Sequence, residues 1–192
     1  MASHPNLLER DNTVLVVVDV QEPFRKSVFE RDRVITNVIK LVEAAKVLGL
    51  PVIATLQNRA RMGDLIPEVA SVLPGSTGEG VLHPPIDKMT FSCCGVEAFR
   101  AAVERIERNT VLLCGVETHI CVNQTAHDLA ALGYRVHVAA DAVSSRRESD
   151  WQIGLEKMRQ SGVIVTSTEA AIFELLKDAA APEFKAILEL VK

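Results

Sequence analysis

An acid at the end of an apolar run, a lysine just after a Pro-rich loop and a cysteine one turn beyond a second apolar run could together carry out acyl transfer in this 192-residue chain. The acid is Asp19, which closes the run Val14-Leu15-Val16-Val17-Val18 and leads into Val20-Gln21-Glu22-Pro23-Phe24. A carboxyl placed there either caps a turn or, against an apolar wall that raises its pKa, acts as a general base. The lysine is Lys88, within Ile86-Asp87-Lys88-Met89-Thr90-Phe91-Ser92. Lysines are ordinarily solvated surface groups. One set between Ile86 and Met89, close to Phe91, reads as partly enclosed, and an enclosed ammonium needs an acid such as Asp19 beside it. The cysteine is Cys121, within Gly115-Val116-Glu117-Thr118-His119-Ile120-Cys121-Val122-Asn123. There an apolar strand ends, a short turn follows, and a helix begins at or near Cys121. The N–H groups and dipole of a helix N-terminus stabilise an anion, which predicts a lowered thiol pKa and a ready nucleophile. The same N–H groups would hold the oxyanion formed when a thiolate attacks a carbonyl. The alternative is a small buried residue in a first helical turn.

These residues need elements to position them. Val14–Val18 is unbroken and largely β-branched, the pattern of a strand buried on both faces. From about Asp32 to Leu48, Ile35, Val38, Ile39, Val42 and Ala45 recur at helical spacing, and Gly49 and Pro51 end the helix. Strands follow at 52–56, 111–114, 136–139 and 163–165. Helices are predicted around Val96–Ile106, from Cys121 to Leu132, at 153–160 and at 170–176, with Thr166 and Glu169 spaced as a capping box. A tail helix is expected over about 182–191. The stretch 58–85 is rich in Gly and Pro and reads as largely loop. Strands alternating with helices imply βαβ crossovers, hence a three-layer α/β/α fold with a mostly parallel, doubly wound central sheet. The expectation is a single domain over 1–192, with its core at about 13–176. In such sheets ligands bind beyond the carboxyl ends of the strands, where all three polar segments fall.

Net charge is −4, with no Lys/Arg run, which argues against nucleic acid or an anionic membrane as partner. No apolar segment approaches the ~20 residues of a membrane span, and Met1–Asn6 shows no leader pattern. The cysteines, Cys93, Cys94, Cys114 and Cys121, form no CxxC pair. The expectation is a reduced, cytoplasmic protein without zinc.

Together, Asp19-Val20-Gln21, Asp87-Lys88 followed by Phe91-Ser92, and Gly115 through Val122 resemble the isochorismatase-like cysteine hydrolases over about Thr13 to Leu176. That superfamily includes nicotinamidases, carbamoyl-amide hydrolases and many members of unassigned substrate. The resemblance implies a triad of Asp19, Lys88 and Cys121. Asp19 would exchange the thiol proton, Lys88 would hold Asp19, and Cys121 would attack a carbonyl to give a thioester-type intermediate that water hydrolyses. It also implies a cis peptide at Val116–Glu117, with the N–H groups of Glu117 and Cys121 as the oxyanion hole. The Asp-x-His…His metal site of nicotinamidases is missing from Leu56–Asp64, and no histidine follows until His83. Neither metal nor cofactor is therefore expected. True isochorismatases, which cleave a vinyl ether, lack a cysteine at this position, so the resemblance makes Cys121 point to C–N or related acyl hydrolysis of a small molecule. A homo-oligomer is implied by resemblance only.

Phe24, Gln57, Phe91 and Thr118 each lie within a few residues of a strand end and are expected to line the pocket, Gln57 by orienting an amide. His119 is two residues from Cys121 and does not share its helical face, so it is expected to shape the turn or meet another subunit. Cys93 and Cys94 read as structural, with Cys94 placed to influence oxidation of a neighbouring thiolate. The rival function is a catalytically idle or redox-responsive oligomer using Cys121 as a peroxide-sensitive thiol. A nucleotide-binding sheet is excluded because the turn after the first strand lacks a glycine-rich phosphate loop.

Overall fold

Long aliphatic runs form the centre of a parallel sheet, and amphipathic segments cover it from both sides. The computed structural model describes residues 4–73 and 84–192. In chain order the principal elements are β1 (Thr13–Val18), α1 (Glu22–Arg25), α2 (Arg31–Leu48), β2 (Val52–Gln57), α3 (Arg59–Met62), α4 (Pro67–Val72) and β3 (Ile86–Lys88). Then come α5 (Glu97–Arg105), β4 (Thr110–Val116), a π-helical turn (Thr118–Val122), α6 (Asn123–Ala131), β5 (Arg135–Ser144), α7 (Glu148–Gln160), β6 (Ile164–Thr166), α8 (Thr168–Leu176) and α9 (Phe184–Val191). The strands lie in the order β3-β2-β1-β4-β5-β6, and every neighbouring pair is parallel. From β1 the chain runs outward through β2 to β3, then returns to place β4 on the other side of β1. The carboxyl ends of β1 and β4 therefore flank the point where strand order reverses, the place such sheets use for ligands.

Alternation along the central strands divides the core in two. Val14, Val16 and Val18 of β1 pack with α5, α6 and α7, whereas Leu15 and Val17 pack with α2, α4, α8 and α9. A strand apolar at five successive positions, Val14 to Val18, is thus explained by burial on both faces. At the end of α2, Gly49 takes a left-handed conformation and its N–H returns to the carbonyls of Ala45 and Lys46.

Several local expectations are corrected. The 58–85 segment is not simply loop: α3, α4 and β3 lie in it, with Pro67 opening α4 and Ile66 and Val69 buried beneath it. Residues 74–83 of that stretch, with His83, and Met1–Ser3 lie outside the described residues. β3 has only three residues and no apolar pattern, so only its pairing with β2 reveals it. β5 runs ten residues, well beyond 136–139, with an irregularity in its pairing opposite Leu113 and Gly115. The last cap is shifted by one: Ser167, not Thr166, accepts from the Ala170 N–H at 3.3 Å, because Thr166 still pairs in β6. Among the described residues no helix is long and apolar enough to cross a membrane.

Gly115 sits at the critical contact of the sheet. Its φ is +109°, and a Cβ there would lie 2.1 Å from the carbonyl oxygen of Val18, one residue before Asp19. Only glycine lets β4 come this close to the end of β1. Gly115→Ala is expected to destabilise the protein by roughly 2–4 kcal/mol in urea unfolding, through backbone displacement and an unfavourable φ together. An unchanged midpoint would show that the two strand ends tolerate separation.

Candidate active site

At the end of β1 the chain turns through Asp19, whose φ of 51° is left-handed, a conformation that aspartate tolerates better than most residues. Its N–H is held by the Thr55 carbonyl of β2 at 3.3 Å. The carboxylate is fully buried. Oδ2 accepts from Lys88 Nζ at 2.7 Å and Oδ1 accepts from the Thr55 hydroxyl at 2.8 Å, while the buried Cys121 thiol is near enough that it and Asp19 perturb each other's proton affinity. The resemblance-based triad is therefore one contiguous cluster, brought together by the ends of β1 and β3 and by the turn after β4.

Lys88 owes its place to the pairing of β3 with β2, which sets Lys88 beside Gln57. Its ammonium contacts Asp19 Oδ2, Gln57 Oε1 at 2.7 Å, and the carbonyls of Phe91 at 3.0 Å and Thr90 at 3.3 Å. Four acceptors for three protons mean that at least one contact is shared. Burial works against the charge of Lys88, but Asp19 and the neighbouring thiols outweigh it and the pKa ends above its ordinary value. For Asp19, burial is the strongest influence and lifts its pKa. Lys88, through its charge and then its hydrogen bond, pulls the other way, with smaller help from Thr55 and Cys121.

Cys121 departs from its predicted setting. It lies inside the π turn rather than at the start of a helix, since the Val122 N–H reaches back five residues to the Glu117 carbonyl. Nor is its pKa lowered. Burial first, and then the charge of Asp19, push the thiol up to about 12, and Lys88 only partly offsets them. At rest the sulfur is a neutral S–H beside a carboxylate.

The other predicted residues divide. Gln57 has both ends of its amide engaged, Oε1 with Lys88 and Nε2 donating to the Met89 carbonyl at 3.0 Å, so it holds the ammonium instead of standing free for a substrate amide. Glu117 is buried, follows a cis Val116–Glu117 peptide, and accepts from the Arg146 N–H and Nε at 2.9 and 3.1 Å. Thr118 is fully buried, and neither its hydroxyl nor Asn123 Oδ1 has a partner among the described residues. Phe24 is half-buried in a cleft with Val20, Gln21 and Val116. Phe91 is exposed, as is Met89, on the loop whose carbonyls hold Lys88. His119 faces Ser145, its Nδ1 lying 2.8 Å from Oγ, which ties the turn to the end of β5.

Sequence reasoning missed two members of the cluster. Thr55 lay unremarked within the second strand, and Cys93, not Cys94, touches the site: its Sγ lies 3.7 Å from Thr55 Oγ1. Cys94 instead lines a separate cavity with Phe99, Arg100 and Tyr134. Nothing in residue type marked either. Only the register of β2 against β1 finds Thr55. Among the described residues no group of three or more His, Cys, Asp or Glu side chains is disposed to hold a metal ion.

Comparison with known proteins bears on the fold and the family. The isochorismatase domain matches residues 13–170. The chain is 44% identical over 182 residues to the secreted isochorismatase effector Isc1 of Phytophthora sojae, covering 94% of this chain and 85% of that protein. The fold superposes on MAR1 ribonuclease from Caenorhabditis elegans with a TM-score of 0.89 at 33% identity, covering 96% and 92% of the two chains. It also superposes on the Escherichia coli YcaC gene product, described as an octameric hydrolase of unknown specificity, with a TM-score of 0.87 at 25% identity, covering 99% and 91%. The parallel sheet, the cluster at its reversal point and these likenesses along nearly the whole chain lead to one conclusion: the protein belongs to the isochorismatase family of hydrolases.

Proposed function

We propose that the protein is a cysteine hydrolase that cleaves a small amide, carbamoyl or related acyl substrate through a covalent intermediate on Cys121. The observation that carries this reading is a buried thiol set within electrostatic reach of a buried carboxylate that is itself paired with an ammonium. The thiol proton passes to Asp19 as Sγ attacks the carbonyl carbon. The N–H groups of Glu117 and Cys121 receive the oxyanion. Collapse breaks the C–N bond, and Asp19 returns the proton to the departing nitrogen, leaving a thioester. Water then attacks, Asp19 takes its proton, and the acid product leaves with the thiol restored. Lys88 stays charged throughout, so the migrating negative charge is never without a cation. The Thr118 hydroxyl, without a partner among the described residues, supports a substrate contact, because a buried polar group left unpaired costs about 1–3 kcal/mol that a ligand would relieve. Phe24 and Phe91 are assigned as the flanking walls.

The net charge of −4 and the enclosure of the cluster favour a small molecule over a nucleic acid. The octameric relative supports a homo-oligomer, and four free thiols without a disulfide support a reduced, cytoplasmic setting. A second reading has one observation in its favour, the isochorismatase in the name of the Phytophthora relative. In it Asp19, its pKa lifted by burial, protonates a vinyl ether and the thiol takes no part.

Iodoacetamide labelling read by intact mass, followed by turnover against a panel of amides and a vinyl-ether substrate, separates these readings. One fast-labelling site is expected, lost in Cys121→Ala and slowed about 10²-fold or more in Asp19→Asn, with amide turnover abolished in both. Vinyl-ether cleavage that survives in Cys121→Ala would select the second reading. Slow labelling spread over all the cysteines would leave the idle or redox-responsive protein.

The two pKa directions also set a pH profile. The labelling rate should fall on acidification as Asp19 takes a proton, with its midpoint above the ordinary carboxylate value of roughly 4, since burial lifts Asp19. Above that midpoint it should stay level until the thiol itself ionises near pH 12. A single rise centred near pH 8–9, the range of a free thiol, would mean that Asp19 does not assist.

A further inference from the structure

Behind the triad lies a hydrogen-bond chain that reaches no solvent. Thr55 and Cys93 are both fully buried, so neither can touch a substrate. Thr55 grips Asp19 twice, its carbonyl accepting the Asp19 N–H at 3.3 Å and its hydroxyl donating to Oδ1 at 2.8 Å. A carboxylate can only accept, so the single hydroxyl proton of Thr55 must point at Asp19. The hydroxyl oxygen is left to accept, and Cys93 Sγ stands 3.7 Å away as the donor. Burial keeps the Cys93 thiol protonated, with its pKa pushed up to about 11. Its backbone N–H is in turn fixed by Thr125 Oγ1 at 3.0 Å, one turn beyond Cys121 on the same helical segment. The chain therefore has one polarity, from Cys93 to Thr55 to Asp19, and both of its ends are tied to the elements that carry the triad.

We propose that Thr55, backed by Cys93, is a positioning residue that holds Asp19 as an ionised base and locks its carboxylate plane by fixing Oδ1 while Lys88 fixes Oδ2. With both oxygens held, the carboxylate cannot rotate away from Cys121, and the hydrogen bond to Oδ1 favours its charged form. The proposal rests on the reading of Asp19 as the base for Cys121.

The test is the pH dependence of Cys121 alkylation by iodoacetamide, read by intact mass, in wild type, Thr55→Val, Thr55→Ser, Cys93→Ala and Asp19→Asn, with thermal unfolding followed for each. Thr55→Val keeps the shape of the side chain and removes the donor. Its acidic limb should move upward by about one pH unit, so that labelling below the limb falls about tenfold while the plateau is largely kept. Thr55→Ser should restore the wild-type limb, and Cys93→Ala should shift it in the same direction by less, the S–H being a weak donor. A residue that merely fills space would lower thermal stability without moving the limb. A limb unmoved in Thr55→Val overturns the proposal. If that variant does not fold, an unmoved limb in Cys93→Ala overturns it. If Asp19→Asn labels as fast as wild type, the underlying triad reading fails and this proposal falls with it. A slow Asp19→Asn beside an unmoved Thr55→Val refutes the positioning role alone.

Discussion

The site depends on an ion pair with no exposed atoms, Asp19 with Lys88, whose side chains are both fully buried. Removing two charges from water costs several kcal/mol each, and their mutual attraction offsets this only when geometry is good and the remaining hydrogen-bonding capacity is filled. Much of the local structure supplies that filling. Lys88 draws in Gln57 and the carbonyls of Thr90 and Phe91, so the chain after β3 must curl around the ammonium. Asp19 draws in Thr55 from the neighbouring strand. The short β3 strand makes sense in this light: a few residues of pairing with β2 suffice to place one lysine beneath the carboxylate.

The same enclosure decides the state of the sulfur. A buried site tolerates net charge poorly, and a resting thiolate beside Asp19 and Lys88 would leave an uncompensated negative charge. The cluster has two states without that penalty, carboxylate with thiol and carboxylic acid with thiolate, each balanced by the ammonium. A proton moved between Cys121 and Asp19 converts one into the other without drawing on solvent. A thiol lifted to about 12 is thus compatible with a proposed nucleophile, because reactivity is gated by a neighbouring base rather than by a standing thiolate.

Close backbone approach does the remaining positioning. Gly115 lets β4 touch the end of β1, and Gly154 on α7 lies where a Cβ would come within 3.0 Å of the His119 backbone, so the π turn can settle against that helix. With its extra residue in the turn, the segment from Thr118 to Val122 sets the thiol against the strand ends rather than at the start of α6. His119 and Glu117 anchor this turn through Ser145 and Arg146, which directly follow β5. The geometry of Cys121 is therefore fixed from β1, β4, β5 and α7 at once.

How much of this was legible depends on the range over which each feature is decided. The unbroken run Val14–Val18, the helical spacing of α2 with its Gly49 stop, and the short segments around Asp19, Lys88 and Cys121 are local properties, and they determined the α/β architecture and the candidate residues. β3 was invisible because three residues carry no pattern, and the π turn because it differs from an α-helical start by one hydrogen bond. Proton state, by contrast, is not local. It follows from water excluded by distant elements and from partners such as Thr55 and Cys93, 36 and 38 residues apart from their contacts. The sequence by itself determined which groups arrive at the mouth of the sheet. Only the tertiary structure decided that Gln57 serves Lys88 and that Cys121 waits as a neutral thiol, because burial and hydrogen-bond partners set those properties and both are made by folding.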